Sequence, residues 1–211
     1  MNYTVNETIR YICKIFKYNF SMLQHSLDVH CLVKSLYCEL PDDMKTGINR
    51  NNLCIAALMH DVGKVSVPLE ILEKPCALTA DEKELVKYHP VYGRKILNRM
   101  GMDNVADWIY YHHERVDGTG YFGLTDDKIP LESKIIAVAD TFSALTLNRP
   151  YRKRSGTAAA VSIMEDAAGT QLDEKLVAIF CTMAKKQWVF ERKFELYRSL
   201  IPPVIKAHFY F

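Results

Sequence analysis

The sequence predicts an all-α protein built as a single domain, on three observations. Apolar residues recur at three- and four-residue steps along most of the chain, the period of a helix with one buried face. Helix-start and helix-stop residues, Thr79 with Glu82, Pro41 and Gly101 among them, fall at the ends of those runs. No repeat, low-complexity segment or strong linker divides the 211 residues, a length that suits one well-cored domain.

The elements follow in order. A first helix is expected from Asn6 to about Leu23, where Ile9, Ile12, Ile15, Phe16 and Phe20 share a face. A second begins at Met22 or His25 and carries Leu27, Val29, Leu32, Val33 and Leu36 to Leu40, where Pro41 ends it. Asn49 to Asn52 reads as a polar turn, and Leu53 to His60 is apolar enough to be buried on most sides before Gly63 breaks it. Val65-Ser66-Val67-Pro68 is expected to be extended, because proline pushes its predecessor out of the helical region. Thr79 and Glu82 form a capping box for a helix through Tyr88. Pro90 to Met100 and Val105 to His113 supply two more helices, and Gly118 to Pro130 is loop. Leu131 to Leu147 is a long apolar helix with Asp140 inside it. Ser155 or Thr157 caps a helix through Ala168, and Asp173 caps one through Met183. Beyond Lys185 the texture becomes aromatic, with Trp188, Phe190, Phe194, Tyr197 and a Phe209-Tyr210-Phe211 end. The expected division is a domain over 1–184 and a C-terminal extension over 185–211, which either packs on the domain or offers a contact surface.

Composition narrows the function classes. Hydrophobic residues make up 49% and charged residues 25%, ordinary for a globular protein. A formal net charge of +2 gives no global attraction to a DNA or RNA polymer or to a membrane surface. The six cysteines have no CxxC spacing and read as buried free thiols rather than a disulfide framework or a zinc ribbon. No run reaches the ~20 apolar residues a membrane span needs, and Met1-Asn2-Tyr3-Thr4 lacks the features of a signal peptide. A cytoplasmic protein is the expectation.

The chemistry lies in the histidines, of which there are seven. His60-Asp61 closes the apolar run Leu53 to Met59, where burying imidazole and carboxylate is costly unless something pairs with them. A metal ion or a mutually satisfied core pair would serve. His112-His113 are neighbours followed by Glu114, and Asp140 sits inside the apolar Ile135 to Ala139, where an unpaired carboxylate is expensive. His25 opens an amphipathic helix and His89 precedes Pro90. Each alone is more often structural; together they point to a polynuclear metal site.

The order His25, His60-Asp61-Val62-Gly63-Lys64, His89, His112-His113-Glu114, Asp117-Gly118-Thr119-Gly120-Tyr121, Asp140 resembles the HD-GYP branch of the HD-domain phosphohydrolases. The resemblance runs from about Ser21 to Met183 and takes in Arg149-Pro150-Tyr151-Arg152 and Ala168-Gly169-Thr170-Gln171. It implies an all-helical HD-type domain with a dinuclear centre that hydrolyses cyclic di-GMP to pGpG, and further to GMP, by a metal-bridged hydroxide. It implies that His25, His60, Asp61 and Asp140 hold one metal, and that His89, His112 and His113 hold the other with Asp61 bridging. Iron or manganese suits such a thiolate-free set. Asp61 and Lys64 would be catalytic, with Lys64 also on a phosphate oxygen. Tyr121, Arg149 and Arg152 would bind substrate, although Arg149, Arg152, Lys153 and Arg154 also read as a solvated basic face. Glu114 and Asp117 would orient ligands and loop. A related cyclic dinucleotide or nucleotide is the alternative substrate, a non-catalytic cyclic di-GMP receptor the alternative role, and a homodimer the candidate assembly.

Three positions depart from the pattern. Phe122 stands where the family carries proline, which weighs against contact with a diguanylate cyclase domain. Ser21 stands where three-metal members carry glutamate, so two metals are expected. Asp28 replaces a frequently basic position.

Overall fold

The computed structural model describes residues 3–17, 19–147 and 156–186. Within them the chain is helical, with no strand beyond one isolated bridge, Ala168 to Leu172. Helix α1 is Val5–Ile15 and α2 is Phe20–Glu39. They are two helices where the spacing predicts one continuing to Leu23. Asn19 stops the run, because its side chain accepts from Met22 N and caps a new helix. Short α3 (Asp42–Lys45) precedes α4 (Arg50–Met59), whose cap is Asn49, so the predicted polar turn is the first turn of α4.

After α4 the chain tightens into a 3-10 turn, Val62–Ser66, and only Val67 before Pro68 is extended as predicted. Short α5 (Leu69–Leu72) follows, then α6 (Ala80–Lys87) with the Thr79–Glu82 capping box in place. Helix α7 is His89–Arg99, so His89 begins a helix rather than following one. Helix α8 (Asp103–Tyr110) ends before His112 and His113, which lie in the turn beyond it. The loop to Pro130 contains a 3-10 turn, Asp126–Lys128, and α9 runs Leu131–Thr146. Helix α10 is Thr157–Asp166 with Gly156 as its cap residue, and α11 is Glu174–Lys185, capped by Asp173.

The centre is the packing of α2 on α4 and α9, with α1, α8 and α11 around it. All seven residues Leu53 to Met59 are buried, as are Ile135, Ile136, Val138, Ala139 and Phe142 of α9. Phe142 meets Phe180 of α11 at 5.0 Å between ring centres. Helix α7 lies against α8 and the 3-10 turn so closely that a Cβ on Gly63 would overlap the His89 carbonyl oxygen. That contact is why glycine is needed there, and it fixes Asp61 relative to His89.

No described helix is long and apolar enough to cross a membrane. All six cysteines are free thiols, but only Cys13, Cys54 and Cys181 are buried as expected; Cys38 and Cys76 are exposed and Cys31 lies between. Residues 148–155 and 187–211, which include Arg149, Arg152 and most of the predicted C-terminal extension, lie outside the described residues.

Candidate metal centre

The seven predicted ligands converge from six places on the chain. His25 comes from α2, His60 from the end of α4, Asp61 from the residue after it, His89 from the start of α7, His112 and His113 from the turn after α8, and Asp140 from α9. Their donor atoms fall into overlapping groups: Asp61, His89, His112 and His113; His25, His60 and Asp61; His60, His112 and Asp140. Asp61 joins the first two. Its Oδ1 lies 3.2 Å from His89 Nε2, while its Oδ2 lies 3.4 Å from His60 Nε2 and 3.7 Å from His25 Nε2. Asp140 Oδ1 sits 2.9 Å from His25 Nε2 and 3.9 Å from His60 Nε2.

The backbone orients the imidazoles. Three of the rings give Nδ1–H to the carbonyl three residues back: His60 to Ala57, His89 to Val86 and His112 to Ile109. His25 Nδ1 meets Ser143 Oγ at 2.9 Å. Spending Nδ1–H in this way leaves Nε2 as a lone pair aimed at the cluster. His89 Nε2 and His112 Nε2 then face one another at 3.5 Å, and His60 Nε2 is buried without a hydrogen bond. Facing lone pairs and an orphaned buried nitrogen are unfavourable alone and are relieved by a cation. The donor set, imidazole and carboxylate without thiolate, fits a divalent transition ion.

Electrostatics favour the same occupant. Burial pushes His112 well below the ordinary imidazole value, with help from His113. Burial and His89 push His113 down to about 3. Burial works against charge on Asp61, but Lys64 and His60 outweigh it and hold the carboxyl well below its usual range. Asp140 is held down in the same way, mainly by His25 against its burial. His60 is raised, because Asp61 and Asp140 outweigh its burial. Two ionised carboxylates among largely neutral imidazoles make a well for positive charge.

The other predicted residues surround this cluster. Lys64 Nζ donates to Asp61 Oδ2 at 2.6 Å. The Tyr121 ring tilts over His113 at 4.6 Å, with Lys87 Nζ 5.4 Å from its own centre. Buried Glu114 accepts from the backbone N–H of Phe122 at 2.6 Å and of Leu124 at 2.7 Å, which pins the glycine loop. Asp117 is engaged by Arg115 and Thr119. Phe122 stacks on Tyr110 at 4.1 Å. Ser21 is exposed in the first turn of α2. His30 is a core histidine facing Cys54 O at 3.0 Å, away from the cluster.

A cleft of about 230 Å³ opens beside the cluster, lined in part by His112, His113, Asp140, Arg115, Thr141 and Gln171. Sequence reasoning did not assign Ser143, Arg115, Thr141 or Gln171. Gln171 stood within a quoted phrase of the resemblance, and the others carried no pattern that marks them.

Comparison with known proteins adds the following. Residues 15–176 match the HD domain family. A cyclic di-GMP phosphodiesterase of Pseudomonas aeruginosa is 40% identical over 150 residues, covering 69% of this chain and 35% of the relative. A 3′3′-cGAMP-specific phosphodiesterase of Vibrio cholerae is 40% identical over 146 residues, 67% of this chain and 32% of the relative. The chain thus spans about a third of the length of the curated relatives it matches. The solved HDG"Y"P protein Bd1817 from Bdellovibrio bacteriovorus superposes with a TM-score of 0.61 at 19% identity, covering 86% of this chain and 61% of that one. At that identity the likeness shows the fold.

Proposed function

The chain belongs to the HD-domain family, and from that premise we propose that it is a metal-dependent phosphodiesterase that linearises a cyclic dinucleotide, cyclic di-GMP foremost. The single observation that carries this reading is the convergence of seven donor residues on one buried cluster with a cleft opening at its side. In this reading His25, His60, Asp61 and Asp140 hold one ion. His89, His112 and His113 would hold a second, with Asp61 belonging to both groups. The ions are two in number, and iron or manganese fits the donors. Bound there, they supply a water of lowered pKa and positive charge against the phosphoryl oxygens.

The remaining roles belong to the chain itself. Lys64 commits one N–H to Asp61 at 2.6 Å and has two more donors for a phosphoryl oxygen or the departing 3′ oxygen. Tyr121, laid over His113, shields the cluster from water on that side and gives a base a ring to stack on. Arg149 and Arg152 are proposed as substrate-binding cations from the sequence alone.

The test is product identification. Protein purified anaerobically and loaded with iron or manganese should convert cyclic di-GMP to pGpG, with GMP as the product of a second cut. Absence of turnover in metal-replete protein overturns the reading. The hybrid ring 3′,3′-cGAMP is the second reading, because a relative named for it is as similar as one named for cyclic di-GMP. Running both rings side by side separates them.

A further inference from the structure

Arg115 uses all three of its nitrogens on neighbours. Nε donates to Asp117 Oδ1 at 3.1 Å and to Thr119 Oγ1 at 2.8 Å, and Nη2 donates to Asp117 Oδ2 at 2.7 Å. Nη1 reaches across to Gln171 Oε1 at 3.3 Å. A guanidinium has donors and no acceptor, so the Gln171 amide must turn its oxygen to Arg115. Its Nε2 amino group is thereby turned away from Arg115.

The turn that presents Gln171 is well fixed. Gly169 takes a φ of 73°, the left-handed conformation glycine tolerates best. Gly169 N donates to Leu172 O at 2.8 Å and Gln171 N to Ala167 O at 3.0 Å. Asp117 N donates to Thr170 O at 3.0 Å, which ties this turn to the glycine loop. Gln171 is half-buried and lines the same cleft as His112, His113 and Asp140.

We propose that Gln171 determines base specificity: its Nε2 donates to the base beside the scissile phosphate and favours guanine, and Arg115 is its positioning residue. The proposal rests on the cyclic-dinucleotide reading above. A free glutamine suits adenine, accepting from N6 through Oε1 while donating to N7 through Nε2. Arg115 holds Oε1 by one of its lone pairs and so fixes the amide with the Nε2 edge turned away. That donor finds two acceptors on guanine, O6 and N7, but on adenine only N7, beside an amino group that opposes it.

The test uses metal-loaded protein and the ratio of kcat/KM on cyclic di-GMP to that on cyclic di-AMP. Turnover of bis(p-nitrophenyl) phosphate, which has no base, is measured alongside to normalise for the state of the metal centre. Gln171→Glu keeps an acceptor for Arg115 and replaces the donor by another acceptor. It should lower the ratio roughly 10-fold or more. On the hybrid ring the same variant should shift which of the two phosphodiester bonds is cut first, read as the proportion of pApG to pGpA. Arg115→Lys, which loses the fork that holds Oε1, should lower the ratio in the same direction.

An unchanged ratio and an unchanged cut in Gln171→Glu overturn the proposal, as does an equal loss on all three substrates, which marks a purely structural role. An unchanged ratio in Arg115→Lys overturns the positioning half. Failure of the unaltered protein to cleave any ring overturns the cyclic-dinucleotide reading and this inference with it. Turnover with an insensitive ratio overturns this inference alone.

Discussion

His89 and His112 face each other Nε2 to Nε2 at 3.5 Å, and each has committed its Nδ1 proton to a backbone carbonyl three residues behind it. Neither ring is free to turn a proton toward the other without giving up that bond. A cation between them removes the conflict, and the ionised Asp61 beside His89 adds the charge to hold it.

Metal content follows directly from the way Asp61 spans both groups of histidines. Elemental analysis of the anaerobically purified chain should find two ions. Asp61→Asn should retain one or fewer, with turnover down by more than the 10–100-fold typical of losing an outer partner. Three ions in the unaltered chain would sink the two-ion assignment.

The Ser143 hydroxyl meets a candidate ligand on its far side, His25 Nδ1 at 2.9 Å. Ser143→Ala should therefore weaken metal binding by roughly 10–100-fold while the helical circular dichroism stays unchanged. Full affinity in the variant would show that His25 is oriented without the serine.

Glu114 holds the glycine loop by two short bonds to backbone N–H groups, and it is buried. Glu114→Ala orphans both donors and should cost about 3 kcal/mol, taking charge-assisted bonds at 1.5–3 kcal/mol and discounting for non-additivity. Chemical denaturation of the metal-free protein measures it.

Gly63 leaves no room for a methyl group, because His89 O and Gly93 N already stand where it would go. Gly63→Ala forces α7 off the 3-10 turn, moving His89 from Asp61. It should destabilise the fold by about 1–3 kcal/mol and lower metal occupancy together. A variant with reduced stability and full metal content would contradict that coupling.

His30 gives the fold a pH dependence separate from the metal. Burial lowers its pKa to about 4, against about 6.5 in an unfolded chain. Between those values the unfolded state binds a proton that the folded state refuses, so stability falls as pH drops from about 6.5 toward 4. The slope is up to about 1.4 kcal/mol per pH unit. His30→Gln should remove that contribution from the variant, so the difference between the two stability curves should carry the slope between about pH 4 and 6.5, as read by denaturant titration at several pH values.

His60-Asp61 and Asp140 stood out in the sequence because imidazole and carboxylate inside apolar runs are costly, whereas grouping His25, His89, His112 and His113 with them came from the family resemblance. The capping box at Thr79 and the long helix holding Asp140 were legible for similarly local reasons. The break between α1 and α2 was not, because Phe16, Phe20 and Leu23 keep the helical spacing across it while one side chain, Asn19, turns the backbone. The end of α8 before His112 was hidden too, since no glycine or proline marks it. Ser143, Arg115 and Gln171 act through pairings formed only when distant segments meet. No periodicity records such pairings.

The self-made bonds of His60, His89 and His112 have a bearing on how the candidate ligands are aimed. Each ring's tautomer is set by a carbonyl three residues back in its own stretch of backbone. Three of the candidate ligands are therefore aimed by contacts that never cross the chain, while the positions of their Nε2 atoms relative to one another depend on how α4, α7 and α8 pack.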